Sequence, residues 1–205
     1  RRPPRSTLFP YTTLFRSDWI SNQARKRPLE RRADVRARRV ISLLSQAPLV
    51  LGDTDGKFYR KYLRGLAREI RYLRHSTLDN DGVPRLQVLI ALCYASLCLA
   101  NQARNIKSAT RRLSDELQRQ ILPDGGHISR NPGALVELLS DLLPLRQTFA
   151  ARNIAPPPAL LNAIDRMMPM LRFFRHGDGS FALFNGMSTA PSDLVDRKST
   201  RLNSS

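Results

Sequence analysis

Arg85-Leu86-Gln87-Val88-Leu89-Ile90-Ala91-Leu92-Cys93-Tyr94-Ala95-Ser96-Leu97-Cys98-Leu99-Ala100 decides the fold. The spacing predicts a helix over about Arg85 to Ala100 that is apolar almost all round, through Leu86, Val88, Leu89, Ile90, Leu92, Leu97 and Leu99. A helix without a polar face is buried among other helices. No run of about 18 apolar residues occurs, so the burial is not in a membrane.

The flanking sequence supplies the neighbours, and helical periodicity dominates it. A first helix is predicted from about Glu30 to Ser45, ending before Pro48. A second follows the capping cluster Asp53-Thr54-Asp55, with Tyr59, Tyr62, Leu63, Leu66, Ile70 and Leu73 on one face. After the central apolar helix comes an amphipathic fourth, about Asn105 to Leu122, carrying Ile106, Leu113, Leu117 and Ile121. Pro123-Asp124-Gly125-Gly126 makes a turn. The fifth helix opens at Asn131-Pro132, a cap followed by proline at the first helical position, with a kink expected at Pro144. Pro156-Pro157-Pro158 opens the sixth, with Leu160, Ile164, Met167, Met168, Leu171 and Phe174. Then the period changes: Asp178-Gly179 is a turn, and Ser180 to Phe184 reads as one short strand. Six helices with short connections pair as three antiparallel hairpins, compatible with a bundle, a solenoid or part of a ring. No motif repeats at a fixed period. The fold class is all-α, with one short β segment near the C-terminus.

Both ends of the 205-residue chain look foreign to this pattern. Residues 1–17 resemble, codon by codon, a translated sequencing-library adapter, and residues 196–205 resemble the opposite adapter. The formal net charge of +17 includes +4 from the first segment and +2 from the second, leaving +11 for residues 18–195. On this reading 18–195 is a piece of a longer bacterial protein whose location, periplasm or cytoplasm, is left open. Its helical part runs over 18–176, and 177–195 is the start of a truncated β domain.

Two segments carry candidate chemistry. The first is the polar, Gly-rich connection Pro123-Asp124-Gly125-Gly126-His127-Ile128-Ser129-Arg130-Asn131-Pro132. Here His127, Arg130 and helix N-terminal amides can meet an anion, with Asn131 serving as the cap. The second is Arg172-Phe173-Phe174-Arg175-His176-Gly177. Arg172, Arg175 and His176 beside aromatics can line a groove for a sugar acid, or simply complement the helix dipole ahead of a Gly177 cap. Alternate connections of consecutive hairpins share an end, so the two segments are expected to form one basic pocket. Cys93 and Cys98 read as buried free thiols, and Met167, Met168 and Met170 as core. The Arg-rich stretch from Arg25 to Arg39 could suit nucleic acid, but arginine on solvated faces is ordinary in sequences from GC-rich genomes, and nucleic acid is not the expected partner. Walker A, GxGxxG, HExxH and GxSxG patterns are absent, so nucleotide, zinc-protease and serine-hydrolase readings lack support. No cofactor and no metal is called for.

Leu122 to Pro132, together with Asn162 to Gly179 and Ala182-Leu183-Phe184-Asn185-Gly186, resembles the heparinase II/III-like proteins, in the branch common among alphaproteobacteria. The resemblance implies an incomplete (α/α) toroid followed by a β-sandwich domain. It also implies polysaccharide lyase activity on uronic-acid polymers such as heparan sulfate or alginate. β-Elimination needs a group that neutralises the uronate carboxylate, a base for the C5 proton and an acid for the leaving oxygen. The lyase pattern resembles Asp-Gly-x-x-x-Glu-x-Ser-x-x-Tyr-His. Laid on Asp124-Gly125, it meets Ser129, Asn131, Ala134 and Leu135 where the lyases carry Glu, Ser, Tyr and His. Ala134 and Leu135 cannot transfer protons, and the lyase Asn motif has no clear match in Arg85 to Ala100.

The leading expectation is therefore a fragment of a heparinase II/III-like lyase that acts on or binds an anionic polysaccharide. Such a lyase would be completed by the β-sandwich domain of its own chain. Substrate-binding candidates are His127, Arg130, Asn131, Arg172, Arg175 and His176. A non-catalytic polysaccharide-binding or scaffold domain is the alternative, and a basic nucleic-acid-binding module the third reading.

Overall fold

The computed structural model describes residues 32–52, 56–77 and 80–187. The adapter-like ends, the Asp53-Thr54-Asp55 cluster, residues 188–195 and the Arg-rich stretch before Arg32 lie outside them.

Helix α1 (Ala33–Ser45) buries Ala33, Ala37, Val40 and Leu43, a repeat of three and four residues. Pro48, read from sequence as a stop, instead lies in the first turn of a short α2 (Ala47–Leu51). Proline's missing N–H sacrifices no helical bond there. Helix α3 (Gly56–Ser76) buries Phe58, Tyr62, Leu66, Ile70 and Leu73. Tyr59, placed on the apolar face by the sequence reading, is 46% exposed, because Phe58 holds that register. The Tyr62 hydroxyl donates to the Leu43 carbonyl, one of the last-turn acceptors of α1 that have no partner within their own helix.

Helix α4 (Gly82–Cys98) is buried without a break from Leu86 to Leu97. The cause is two-sided packing. Leu86, Leu89, Ile90, Cys93, Tyr94 and Leu97 join one core cluster, and Val88, Ala91, Leu92 and Ala95 join another, with α1 and α3. A 3₁₀ turn (Ala100–Asn105) leads into α5 (Ile106–Gln120). Helix α6 (Pro132–Ala151) starts as its sequence predicts, with the Asn131 side chain accepting from the Gly133 amide at 2.8 Å. Pro144 sits within α6 without ending it. Helix α7 (Pro158–Phe173) closes the first core cluster through Leu160, Ala163, Ile164 and Met167.

Side-chain contacts fix the directions. Arg36 and Arg39 of α1 reach Glu69 while Leu43 meets Tyr62, so α1 and α3 are antiparallel. Arg85 pairs with Glu116 and Gly82 with Gln120, so α4 and α5 are antiparallel. Gln87 meets Glu137 and Tyr94 meets Asp141, so α4 and α6 run parallel. Arg38 of α1 also pairs with Glu137, at 3.4 Å. One layer is thus α1, α4 and α6 side by side, and the partner layer is α3, α5 and α7. These are the three expected hairpins, arranged as an arc of two layers.

The expected strand at Ser180 to Phe184 appears as a single antiparallel bridge, Arg175 with Phe181, and there is no sheet among the described residues. The Asp178-Gly179 turn closes it. Asp178 Oδ1 accepts from the Ser180 amide at 2.8 Å and from its hydroxyl at 2.7 Å, and Gly179 takes a φ of +85°.

Candidate functional site

The connection between α5 and α6 is a built loop. Ile121 bridges His127, the Ile128 amide donates to the Gln120 carbonyl, and the Leu122 amide donates to the Gly126 carbonyl. Asp124 Oδ1 accepts from the Gly126 amide at 2.9 Å, and its other oxygen pairs with Arg130. The Arg130 guanidinium, then the Gly126 amide, hold the Asp124 carboxyl below the usual carboxylate range. Gly125 has φ +86°, and a Cβ there would stand 2.0 Å from the Arg166 carbonyl oxygen. The loop therefore lies directly on α7, and only glycine fits both the conformation and the contact.

His127 faces inward and is 2% exposed. The Ser129 amide can only donate, so Nδ1, 3.1 Å away, is an acceptor. The ring proton is then on Nε2, which donates to Gln120 Oε1 at 2.7 Å. The Gln120 amide nitrogen donates to the Gly82 carbonyl at 3.0 Å and to Glu116. Burial lowers the His127 pKa, in keeping with a neutral ring. Glu116, also buried, faces Arg85 at 2.9 Å and Arg119 at 2.6 Å. Burial alone pushes its carboxyl up. The hydrogen bonds from Arg119 and Gln120, with the charges of Arg85 and Arg119, outweigh that, and it titrates below the usual range. Sequence reasoning missed this relay. Its signal is visible, however: Glu116 and Gln120 fall on the same stripe of α5 as Leu113 and Leu117.

Beside the relay opens a cleft of about 820 Å³ at the N-termini of α4 and α6. Arg38, Asp81 and Glu137 supply its charge, His127, Ser129, Asn131 and Ser140 its other polar side chains, and Val83, Pro84, Ile128, Val136 and Met187 its apolar lining. Arg38 pairs with Glu137, and Asp81 with Arg119. The cleft is therefore close to electrically balanced, unlike the basic pocket expected from sequence.

The predicted residues divide accordingly. His127 and Asn131 line the cleft, one with both ring nitrogens engaged and the other as the α6 cap. Arg130 has a φ of +55° and is tied to Asp124 at the exposed rim. Arg172, Arg175 and His176 are exposed around the C-terminus of α7 and do not line the cleft. The two segments lie on the same side: Phe184 packs edge-on against Phe174 at 5.3 Å between ring centres, and the next residue, Asn185, donates to the Arg130 carbonyl at 3.3 Å. Ala134 and Leu135 are buried, at 4% and 0% exposure. Cys93 is buried and its thiol pushed up to about 12 by burial; Cys98 is half-buried. Neither forms a disulfide, and no His, Cys, Asp or Glu cluster among the described residues can hold a metal.

No protein-family model matches the chain. FtsZ-localized protein C of Caulobacter vibrioides (strain NA1000 / CB15N) is 35% identical over 154 residues, which is 74% of this chain and 26% of that protein. The chain thus spans about a quarter of the curated relative it matches. Among solved structures, the crystal structure of heparinase III aligns with a TM-score of 0.69 and 14% identity, covering 94% of this chain and 32% of that one. The two-layer arc of antiparallel hairpins is accordingly part of an incomplete (α/α) toroid, a distant heparinase-like fold.

Proposed function

We propose that this segment is a non-catalytic helical module. It keeps the toroid scaffold of the polysaccharide lyases but uses it for binding, within a bacterial protein that works where FtsZ assembles. The observation that carries the reading is that the positions of the lyase pattern's proton-transfer groups hold side chains unable to transfer protons. Ala134 and Leu135 occupy the positions where the lyase pattern has Tyr and His, and both are buried. His127, beside them, is a neutral ring with both nitrogens engaged in the fold. A base must reach the proton it removes, and this ring is committed inward. The printed name of the Caulobacter relative supports the cellular setting. The experiment is a chimera in which residues 18–187 replace the matching segment of that relative, imaged together with FtsZ. Colocalisation is expected, and a diffuse chimera would count against the reading.

A second reading, binding or β-elimination of a uronic-acid polysaccharide, is favoured by the likeness to the heparinase III fold. In it, Arg130, Arg172, Arg175 and His176 would meet carboxylates or sulfates through charge-assisted hydrogen bonds, near Asn131 and His127. The catalytic groups would come from outside this segment. Incubating the same chimera with acidic polysaccharides separates the two: release of unsaturated uronate would replace the first reading with the second.

A further inference from the structure

Helix α3 carries seven basic residues, Lys57, Arg60, Lys61, Arg64, Arg68, Arg71 and Arg74, against one acid, Glu69. Its net +6 is more than half of the +11 on residues 18–195. Steps of three and four residues keep the first six cations within a stripe roughly a third of the circumference wide. That stripe lies opposite the buried face of Phe58, Tyr62, Leu66 and Ile70. Five of the six are exposed, Lys61 is half-buried, and none of them is ion-paired among the described residues. The only acid on the helix turns inward to Arg36 and Arg39. By contrast, the arginines of α1 are largely spent within the protein: Arg36 and Arg39 on Glu69, Arg38 on Glu137. On α5, α6 and α7 the cations are interleaved with acids, Asp115 and Glu116, Glu137 and Asp141, and Asp165, whereas α3 carries seven cations against a single acid.

We propose that the solvent-facing side of α3 is a sequence-independent nucleic-acid surface that grips the phosphate backbone. From Lys57 to Arg71 the stripe is about 21 Å long at 1.5 Å per residue, roughly six base-pair steps of duplex at 3.4 Å each. Four of its six cations are arginines, whose planar forks match phosphate oxygens. The apolar face of α3 is committed to the core, so the helix cannot insert into a lipid surface. The stripe follows the convex side of a single helix, suited to a regular linear polyanion. This proposal does not depend on the reading of the cleft.

The test uses the whole chain with a short labelled DNA duplex, read by fluorescence anisotropy between about 50 and 200 mM salt. The triple variant Arg60→Gln, Arg64→Gln, Arg68→Gln changes exposed positions to a residue of similar helix propensity. Three lost phosphate contacts should lower the log–log salt slope by about 2.7 and weaken binding at 0.1 M salt on the order of a hundredfold. The control triple Arg146→Gln, Arg152→Gln, Arg166→Gln removes equal charge from α6, its C-terminal cap and α7, and should leave the slope nearly unchanged. Equal losses in the two variants would overturn the proposal, as would absence of duplex binding. Stripe-dependent binding of polyglutamate or of phosphatidylserine vesicles, without duplex binding, would assign the surface to another class of partner and equally overturn it.

Discussion

Replacing Gln120 by leucine tests whether His127 belongs to the fold or to a ligand. Gln120 is fully buried and connects three groups: it accepts from His127 Nε2–H at 2.7 Å, and it donates to the Gly82 carbonyl at 3.0 Å and to Glu116. Leucine is of similar size but makes none of these bonds. The His127 N–H and the Gly82 carbonyl would lose their partner, each at about 1–3 kcal/mol. Glu116 keeps Arg85 and Arg119 and loses less. Allowing for the added apolar burial, the expected cost is about 2–5 kcal/mol, a large share of the 5–15 kcal/mol by which domains are stable. In a chain of this size that is about 2–4 °C of melting temperature per kcal/mol. The assay is urea unfolding of Gln120→Leu, His127→Leu and the double variant. Because both single changes strand the same polar pair, the double should cost less than their sum, with a coupling of about 0.5–3 kcal/mol. Additive costs, or a Gln120→Leu change within about 0.5 kcal/mol of the parent, would refute the relay and return His127 to the list of ligand-facing groups.

The same ring predicts a pH dependence. The folded pKa of His127 lies below its unfolded value, so the unfolded chain binds the extra proton. Stability should be full above about pH 6.5 and decline as pH falls from there toward the folded pKa, a decline His127→Leu should remove from the pH series of urea midpoints. A second loss should follow at lower pH, below about 4, as Asp124 and Glu116, both held low in the fold, are protonated; replacing Asp124 by Asn should diminish it. Gly125→Ala should destabilise through its positive φ, at about 1–3 kcal/mol, and further through the clash with the Arg166 carbonyl, read as a lower thermal midpoint. Leu92→Asp puts an unpaired charge where α4 meets α1 and α3 and should cost on the order of 4 kcal/mol or more, so that little soluble folded chain is recovered.

What could be read in advance follows from what each signal depends on. The unbroken apolar run of α4 is a local fact with a global consequence, because any helix buried on all sides must have others on all sides. That is why the six long helices, their order and the central position of α4 were legible, though the short α2 was not, and why Asn131-Pro132 located the start of α6. The role of Pro48 was not legible, because proline both ends and begins helices and only the following chain decides. Tyr59 and Phe58 could not be ranked either, since both fit a helical face and the choice depends on the register against α1. The site was harder for a different reason. His127, Arg130 and Asn131 stand out as polar residues in a glycine-rich loop, and the sequence cannot say which way such side chains turn. Direction is set by partners distant in the chain: Gln120 and Gly82 take up the histidine relay, Arg119 takes Asp81, and Glu137 draws Arg38 from α1. The cleft's charge balance therefore arises from residues that no local motif joins. The informative local sign was the opposite of a motif: Glu116 and Gln120 placed on an apolar stripe, where a polar group persists only if the fold supplies its partners.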